Sequence, residues 1–415
     1  LIHSLSGEIG LLIRATLTIA AMDVSQLRVA LFTGNYNYVR DGANQALNRL
    51  VASLLRQGAA VRIYSPTVKE PAFEPVGDLV SVPSIPVPGR AEYHAPIMIP
   101  PRVKRDLRHF GPNIFHVSSP EVLGHRAVSL ARKWNLPVVA SVHTRFETYF
   151  RYYNMAFVEP LVEAALRRFY RRCDAIYAPS ESMAQLLRDQ RMSYNVGIWS
   201  RGIDTEIFNP NRRDLAWRRS LGIFDDEPAI GFVGRLVMEK GLDVFSDAVD
   251  RLEQSGVPHR VLVVGDGPAR DWFARRLPTA IFTGFQQGAD LGRAVASMDI
   301  LFNPSVTETF GNVTLEAMAC GLPVVAAHAT GSASLVADGV TGRLIAPGAI
   351  GAFRDALAHY CKDLDARADA GKAGQAVCNR YGWEQVNQTL IESYLRIVRQ
   401  RSLGGRALPL RSPVP

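Results

Sequence analysis

Short apolar runs rich in Val and Ile recur through the first half of the chain, at 27–32, 60–65, 113–117, 137–142, 175–178 and 196–200, separated by helix-length amphipathic stretches. A strand buried on both faces reads as a continuous apolar run, and parallel neighbours need a crossover long enough to hold a helix. The alternation therefore predicts βαβ units around a parallel sheet. It begins again at 229–233, 260–264, 280–283, 299–303 and 322–327, so two doubly wound α/β domains are expected. They are placed at 27–204 and 205–380, joined through the turn-rich 201–213, where Asn209, Pro210 and Asn211 break any regular element. A last amphipathic helix at 381–401 is expected to cross back to the first domain, and the Gly-, Pro- and Arg-rich 402–415 to be a mobile tail. Residues 1–26 carry short apolar pieces near Glu8 and Arg14, fit neither a signal peptide nor a span, and are expected to be a poorly ordered extension.

Composition narrows the class. With 415 residues, 47% hydrophobic and 21% charged, the chain has room for two or three real cores, which excludes disordered, collagenous and disulfide-scaffold readings. Cys173, Cys320, Cys361 and Cys378 lie far apart with no C-x-x-C pair, which suits a reducing cytoplasm and argues against structural zinc. No apolar run reaches the 18 or so residues of a membrane span. The net charge of +8 is unevenly placed: residues 1–204 hold 24 Lys and Arg against 16 Asp and Glu, and the remainder holds 23 of each. The first half is thus the one expected to meet an anionic partner, the alternative being an Arg-rich surface with no such role.

In open parallel sheets ligands bind at the carboxyl ends of the strands, so the chemistry is sought there. The richest stretch is 304–327, PSVTETFGNVTLEAMACGLPVVAA. A strand ends near Asn303, a loop carries Glu308 and Gly311, and a helix is predicted from Asn312 to Ala319 with Gly321 ending it. Amides at such a helix start favour a diphosphate, while Glu308 and Glu316, eight apart, reach different parts of one extended ligand. An ordinary capped helix with a solvated glutamate is the alternative. In 231–241, GFVGRLVMEKG, Gly234 is followed by Arg235 and Lys240, two cations able to neutralise a departing phosphate or to form a salt-bridged surface turn. VVGDGP places Gly265 and Gly267 in a tight turn after another strand, and FTGF offers Phe282 or Phe285 as a face for a nucleobase, with core packing as the alternative for Phe282.

In the first domain GNYNYVRDGA leads from the first strand into a helix, with Gly42 at its start. It is not G-x-G-x-x-G, and no acidic residue ends the second strand, which disfavours a dinucleotide. His143 in SVHTRFETY directly follows a buried-looking strand; a structural and a catalytic histidine both fit that position.

Together these segments resemble the retaining glycosyltransferases of family 4, whose GT-B architecture is two Rossmann-like doubly wound domains facing a central cleft. The resemblance covers 27–399 and is most specific at Glu308 to Glu316, framed by Pro304-Ser305, Phe310-Gly311 and GLPVV, with GRLVMEKG and VGDGP in the expected order. It implies that Arg235 and Lys240 hold the donor diphosphate, Glu308 the sugar hydroxyls and Glu316 the nucleotide ribose. Thr309, Phe310, Gly311 and Asn312 would contact sugar and phosphate through their backbone. His143 would lie near the donor sugar and Gly42 in the glycine-rich loop of the acceptor side. Where many relatives carry Gly-Gly, this chain has Asp41-Gly42.

Within the family, NYNYVRDGANQ, SVHTRFETYFRYY and RGIDTEIFNP resemble the branch of GDP-mannose-dependent α-mannosyltransferases and lipid sulfoquinovosyltransferases. That branch implies a metal-free, cofactor-free transfer from a nucleotide sugar to a membrane glycolipid or lipid-linked acceptor, by a cytoplasmic protein peripheral at the inner face of the membrane. UDP-glucose, UDP-glucuronate and UDP-sulfoquinovose are further donors, and a nucleotide-sugar 2-epimerase and a non-enzymatic nucleotide-sugar sensor are rival readings. Arg102, Lys104, Arg105, Arg108, Arg167, Arg168, Arg171 and Arg172 interleave with Tyr149, Phe150, Tyr152, Tyr153, Phe169 and Tyr170, a mixture suited to anionic headgroups. No nucleic-acid motif accompanies it, so no nucleic-acid partner is expected.

Overall fold

The computed structural model describes residues 22–39, 41–87, 90–143 and 156–403. Residues 1–21 and 404–415, Thr144, Arg145, Tyr149, Phe150, Tyr152 and Tyr153 lie outside them. Residues 22–26 belong to the fold: Asp23 and Gln26 form a capping box around Val24–Gln26, and the Met22 carbonyl accepts from Arg399. The chain divides into two units, Ser200–Trp383 and the residues before it together with those from Glu384 onward.

The first unit holds a parallel sheet of β1 (Arg28–Phe32), β2 (Ala60–Ser65), β3 (Asp78–Ser81), β6 (Ile114–Val117), β7 (Val138–Ser141), β8 (Ala175–Ala178) and β9 (Val196–Ile198), in the order β3-β2-β1-β6-β7-β8-β9. An antiparallel hairpin, β4 (Ser84–Val87) and β5 (Arg90–Pro96), stands apart. β6, β7 and β8 are buried throughout, which is why they read as apolar runs. Phe32 stacks between Tyr64 and Phe115 at ring distances of 5.0 and 5.2 Å. From Glu384 onward the terminal helix Trp383–Ser402 belongs to this unit: Tyr177 and Ser393 share a 2.5 Å hydrogen bond, and Arg401 pairs with Asp174 at 2.5 Å.

The second unit is a parallel sheet in the order β12-β11-β10-β13-β14-β15, from β10 (Ala229–Val233), β11 (Arg260–Val264), β12 (Ile281–Phe282), β13 (Ile300–Asn303), β14 (Val324–Ala327) and β15 (Gly342–Ile345). Phe232, Phe245, Phe273, Phe302 and Phe353 pack one side of it. Arg218, fully buried, ties the segment entering the unit to the sheet by bonding Asp299 at 2.8 Å and three carbonyls. No helix among the described residues is long and apolar enough to cross a membrane.

The arginine cluster differs from the sequence expectation. Phe169 and Tyr170 are core residues rather than members of a surface. Arg167 is drawn to Glu163 at 2.5 Å and to the Gln190 carbonyl, Arg171 to the Arg191 carbonyl, and Arg172 to Ser129. These three fasten the helix Glu159–Tyr170 to its neighbours, since a guanidinium carries enough donors to tie several loop carbonyls at once. Arg102, Arg105, Arg168 and, despite its carbonyl bond, Arg171 remain exposed.

Candidate active site

In the second unit the strand order reverses between β10 and β13, the crevice position of an open α/β sheet. The loops leaving these two strands carry the expected residues. Arg235, exposed, follows Gly234 after β10, and Lys240 follows in the short turn Met238–Lys240. Lys240 Nζ meets Glu308 Oε1 from the loop after β13 at 2.5 Å. The sequence assigned these two to separate ligand groups; the fold makes them an ion pair, so each sets the charge the other presents. The Glu308 carbonyl accepts from Thr330 Oγ1 at 2.7 Å and from the Gly331 amide at 2.8 Å, which fixes the loop beneath the carboxylate.

Helix Asn312–Ala319 starts where the sequence places it, and no side chain caps it. Gly311 sits at φ +97°, a left-handed geometry that disfavours a Cβ, so its glycine is required by conformation. The first amides of the helix thus face the loop with the positive end of the helix dipole. Glu316 keeps some exposed surface, yet protein fills the space around its carboxyl group. Burial first, and the charge of Glu308 second, push its pKa up to about 7. Asn312 is half-buried, as is Thr309; the Phe310 ring lies in the core edge-on to Tyr381, leaving only backbone for a ligand.

The glycines divide by role. A Cβ on Gly265 would strike the Gly234 carbonyl at 1.9 Å, and one on Gly267 the Leu236 carbonyl at 2.5 Å. Both let adjacent strand-end turns touch, which is a packing reason for glycine at each position. A Cβ on Gly234 meets nothing within 4 Å, which leaves that turn open. Phe282 packs edge-on to Phe273, whereas Phe285 is 63% exposed and is the aromatic face available to a base.

The first unit's sheet reverses between β1 and β6, and there the loops after β1 and β6 border a cavity of about 690 Å³. Its lining is largely apolar, with Leu47, Val162 and Leu166 among the walls and His143 at one side. His143 Nε2 lies 2.8 Å from Ser141 Oγ. Gly42 is the first residue of helix Gly42–Arg56, and Asp41 caps that helix by accepting from the Asn44 amide at 2.8 Å. The departure from Gly-Gly therefore places a helix cap at the cavity edge.

Sequence reasoning missed Glu121, which lines the same cavity. Its carboxyl accepts from Ser119 Oγ and has no other hydrogen-bond partner among the described residues. Burial raises its pKa. A Cβ on Gly34 would fall 1.7 Å from Glu121 Oε1, so any other residue there displaces the carboxylate. The pairing of Gly34 with Glu121 was invisible because the two are far apart in the chain and joined only by the β1–β6 contact. Among the described residues no group of three or more His, Cys, Asp or Glu side chains is arranged to hold a metal ion.

Comparison with known proteins follows the same division. Residues 40–207 match the family "Glycosyltransferase Family 4" and 227–363 match "Glycosyl transferases group 1". A GDP-mannose-dependent alpha-mannosyltransferase of Mycolicibacterium smegmatis is 32% identical over 91% of this chain and 99% of its own. A sulfoquinovosyl transferase of Arabidopsis thaliana is 31% identical over 72% of this chain, which spans 60% of that protein's length. Among solved structures, sucrose-phosphate synthase from Thermosynechococcus elongatus superposes with a TM-score of 0.75 at 19% identity, covering 88% of this chain and 98% of its own. An Anabaena protein in complex with UDP gives 0.68 at 20% identity, covering 88% and 99%. With this extent of sequence similarity and this fold, the chain belongs to glycosyltransferase family 4 and is a hexosyltransferase of the GT-B class.

Proposed function

We propose that the protein moves a mannosyl unit from GDP-mannose to a hydroxyl of a membrane glycolipid or lipid-linked acceptor, with retention of configuration and without a metal cofactor. The observation that carries this reading is the Lys240–Glu308 pair held beside the uncapped start of Asn312–Ala319, at the second unit's switch point. Arg235, Lys240 and the helix amides meet the charge of the leaving diphosphate, Glu308 holds sugar hydroxyls, and Glu316 accepts from the ribose diol. The donor's C1–O bond to phosphate breaks as the acceptor oxygen bonds C1 on the same face. The acceptor proton passes to the departing phosphate oxygen, giving the glycoside and GDP. His143 serves the transferred sugar through its ring and its backbone carbonyl.

GDP-mannose is favoured because mannosyltransferase relatives cover about nine-tenths of the chain. UDP-sugars form the second reading, supported by the sulfoquinovosyl transferase and by an alpha-monoglucosyldiacylglycerol synthase of Streptococcus pneumoniae at 25% identity. Thermal-shift measurements with GDP- and UDP-sugars test the base: stabilisation by GDP-mannose alone supports the first reading, and by a UDP-sugar alone the second. Incubation with donor alone must leave it unchanged or slowly hydrolysed; an isomerised nucleotide sugar establishes the epimerase instead.

The acceptor is proposed to occupy the first unit's cavity, its alkyl part against the apolar walls and one hydroxyl donating to Glu121. Glu121→Gln is expected to lower transfer to lipid about tenfold while leaving donor hydrolysis unchanged, since one charge-assisted hydrogen bond is lost. Equal loss of both places Glu121 in the fold alone. Membrane contact is proposed for the face bearing exposed Phe157 and Leu161 with Arg168, at 80% and 73% exposure for the two apolar side chains. The double variant Phe157→Ser, Leu161→Ser is expected to bind vesicles containing phosphatidylglycerol about tenfold more weakly at equal nucleotide affinity. Unchanged vesicle binding removes this face from the membrane contact.

A further inference from the structure

His143 is tied into a buried hydrogen-bond chain that begins on the terminal helix. Tyr394 Oη lies 2.5 Å from His116 Nδ1, His116 Nε2 lies 2.8 Å from Ser141 Oγ, and Ser141 Oγ lies 2.8 Å from His143 Nε2. Tyr394 and His116 are fully buried and Ser141 nearly so. Trp199 stands edge-on to both imidazoles, at 5.8 Å from His143 and 5.9 Å from His116, and its indole N–H donates to Asn387 of the same terminal helix. Burial holds His116 neutral, with a pKa brought down to about 3, so it carries one ring proton.

His116 carries one ring proton and each hydroxyl one, and an arrangement in which Ser141 accepts from both rings leaves its own O–H without an acceptor among the described residues, so the chain runs in two directions. In the first, Tyr394 donates to His116 Nδ1, His116 Nε2–H donates to Ser141, and Ser141 donates to His143 Nε2. In the second every bond reverses, and the Tyr394 O–H is left without an acceptor, because His116 is its one hydrogen-bond partner among the described residues. A buried donor without a partner is the costlier outcome, which selects the first direction.

We infer that Tyr394, acting through His116 and Ser141, fixes the tautomer of His143, so that its neutral ring accepts at Nε2 and carries its proton on Nδ1. Tyr394, His116 and Ser141 are positioning residues: they touch no substrate and act by deciding which face of the imidazole presents a donor. The assignment extends the proposed role of His143, and only its kinetic consequence rests on that role.

Long-range ¹⁵N–¹H correlation spectra of the full chain labelled in histidine test it, with the His143 signals identified by their loss in His143→Asn. The expected result is a neutral His143 protonated at Nδ1. Ser141→Ala is expected to shift the ring toward the Nε2–H form and to lower kcat about tenfold with donor KM within about twofold, and Ser141→Thr to restore both. Tyr394→Phe is expected to introduce the second tautomer at His143. A wild-type ring protonated at Nε2 overturns the inference, and an unchanged tautomer in Tyr394→Phe removes Tyr394 from it. A shifted tautomer in Ser141→Ala with unaltered kcat upholds the chain and overturns the role of His143 in transfer. If Ser141→Ala does not fold, the wild-type and Tyr394→Phe spectra decide.

Discussion

Lys240→Met lowers kcat by about a hundred- to a thousandfold at saturating donor, the usual loss when one preorganised group facing a developing charge is removed. The reason lies in the 2.5 Å pair with Glu308. In the free protein Lys240 and Glu308 cancel one another, and a bound donor divides them, phosphate taking the ammonium and sugar hydroxyls the carboxylate. Without the lysine the diphosphate approaches an uncompensated Glu308, with Glu316 close enough to feel the same charge. Glu308→Gln keeps the shape and removes the carboxylate charge beside Lys240, so a bound phosphate meets a less neutralised ammonium. It is therefore expected to lower kcat by a similar factor while lowering the apparent KM for the donor. Steady-state kinetics separate the two variants, and circular dichroism checks their folding. Full turnover in both removes this pair from the reaction.

The second large effect concerns Glu316. Its folded pKa of about 7 stands above the ordinary value of 4.5, so the folded chain keeps a proton that the unfolded chain has already released between those values. Stability from this group is present in full below pH 4.5, falls as pH rises toward 7, and is flat above. Across 2.5 units the span is at most about 3 kcal/mol, and Glu316→Gln, neutral throughout, is expected to gain that much over the parent at pH 8 while matching it at pH 4.5. Urea unfolding between pH 4.5 and 8 reads it directly; parallel curves for the two proteins contradict it. The same proton couples to the ligand. A ribose diol donating to the carboxylate favours its charged form, so nucleotide binding is expected to release up to one proton near pH 7. Calorimetry in buffers of different ionisation enthalpy counts it, and Glu316→Gln should release none.

Legibility followed burial. β8, β10 and β11 coincide with their apolar runs because buried strands must be apolar. β3 and β15 escaped notice, since their half-exposed faces carry mixed residues and pair at sheet edges. The hairpin of β4 and β5 was missed as well, for Pro86 and Pro96 disguise it. At the second unit's site the pattern was readable because local chain geometry makes it: strand end, loop glutamate, left-handed glycine and helix start are consecutive. The basic cluster was legible only in part for the opposite reason: spacing does not show that Phe169 and Tyr170 are core residues or that Arg167 and Arg171 also bond neighbouring carbonyls.

The sequence by itself determined two parallel α/β units, the order of their strands along the chain, and the residues gathered at the second unit's switch point. These follow from side-chain burial and from steric limits on a few consecutive residues. Tertiary structure alone decided that Lys240 is paired with Glu308, that Gly34 seats Glu121 in a cavity, and that Tyr394 reaches His143 through His116 and Ser141. Each joins residues distant in sequence, and the energy of a hydrogen bond or ion pair depends on distances that only the packed chain sets.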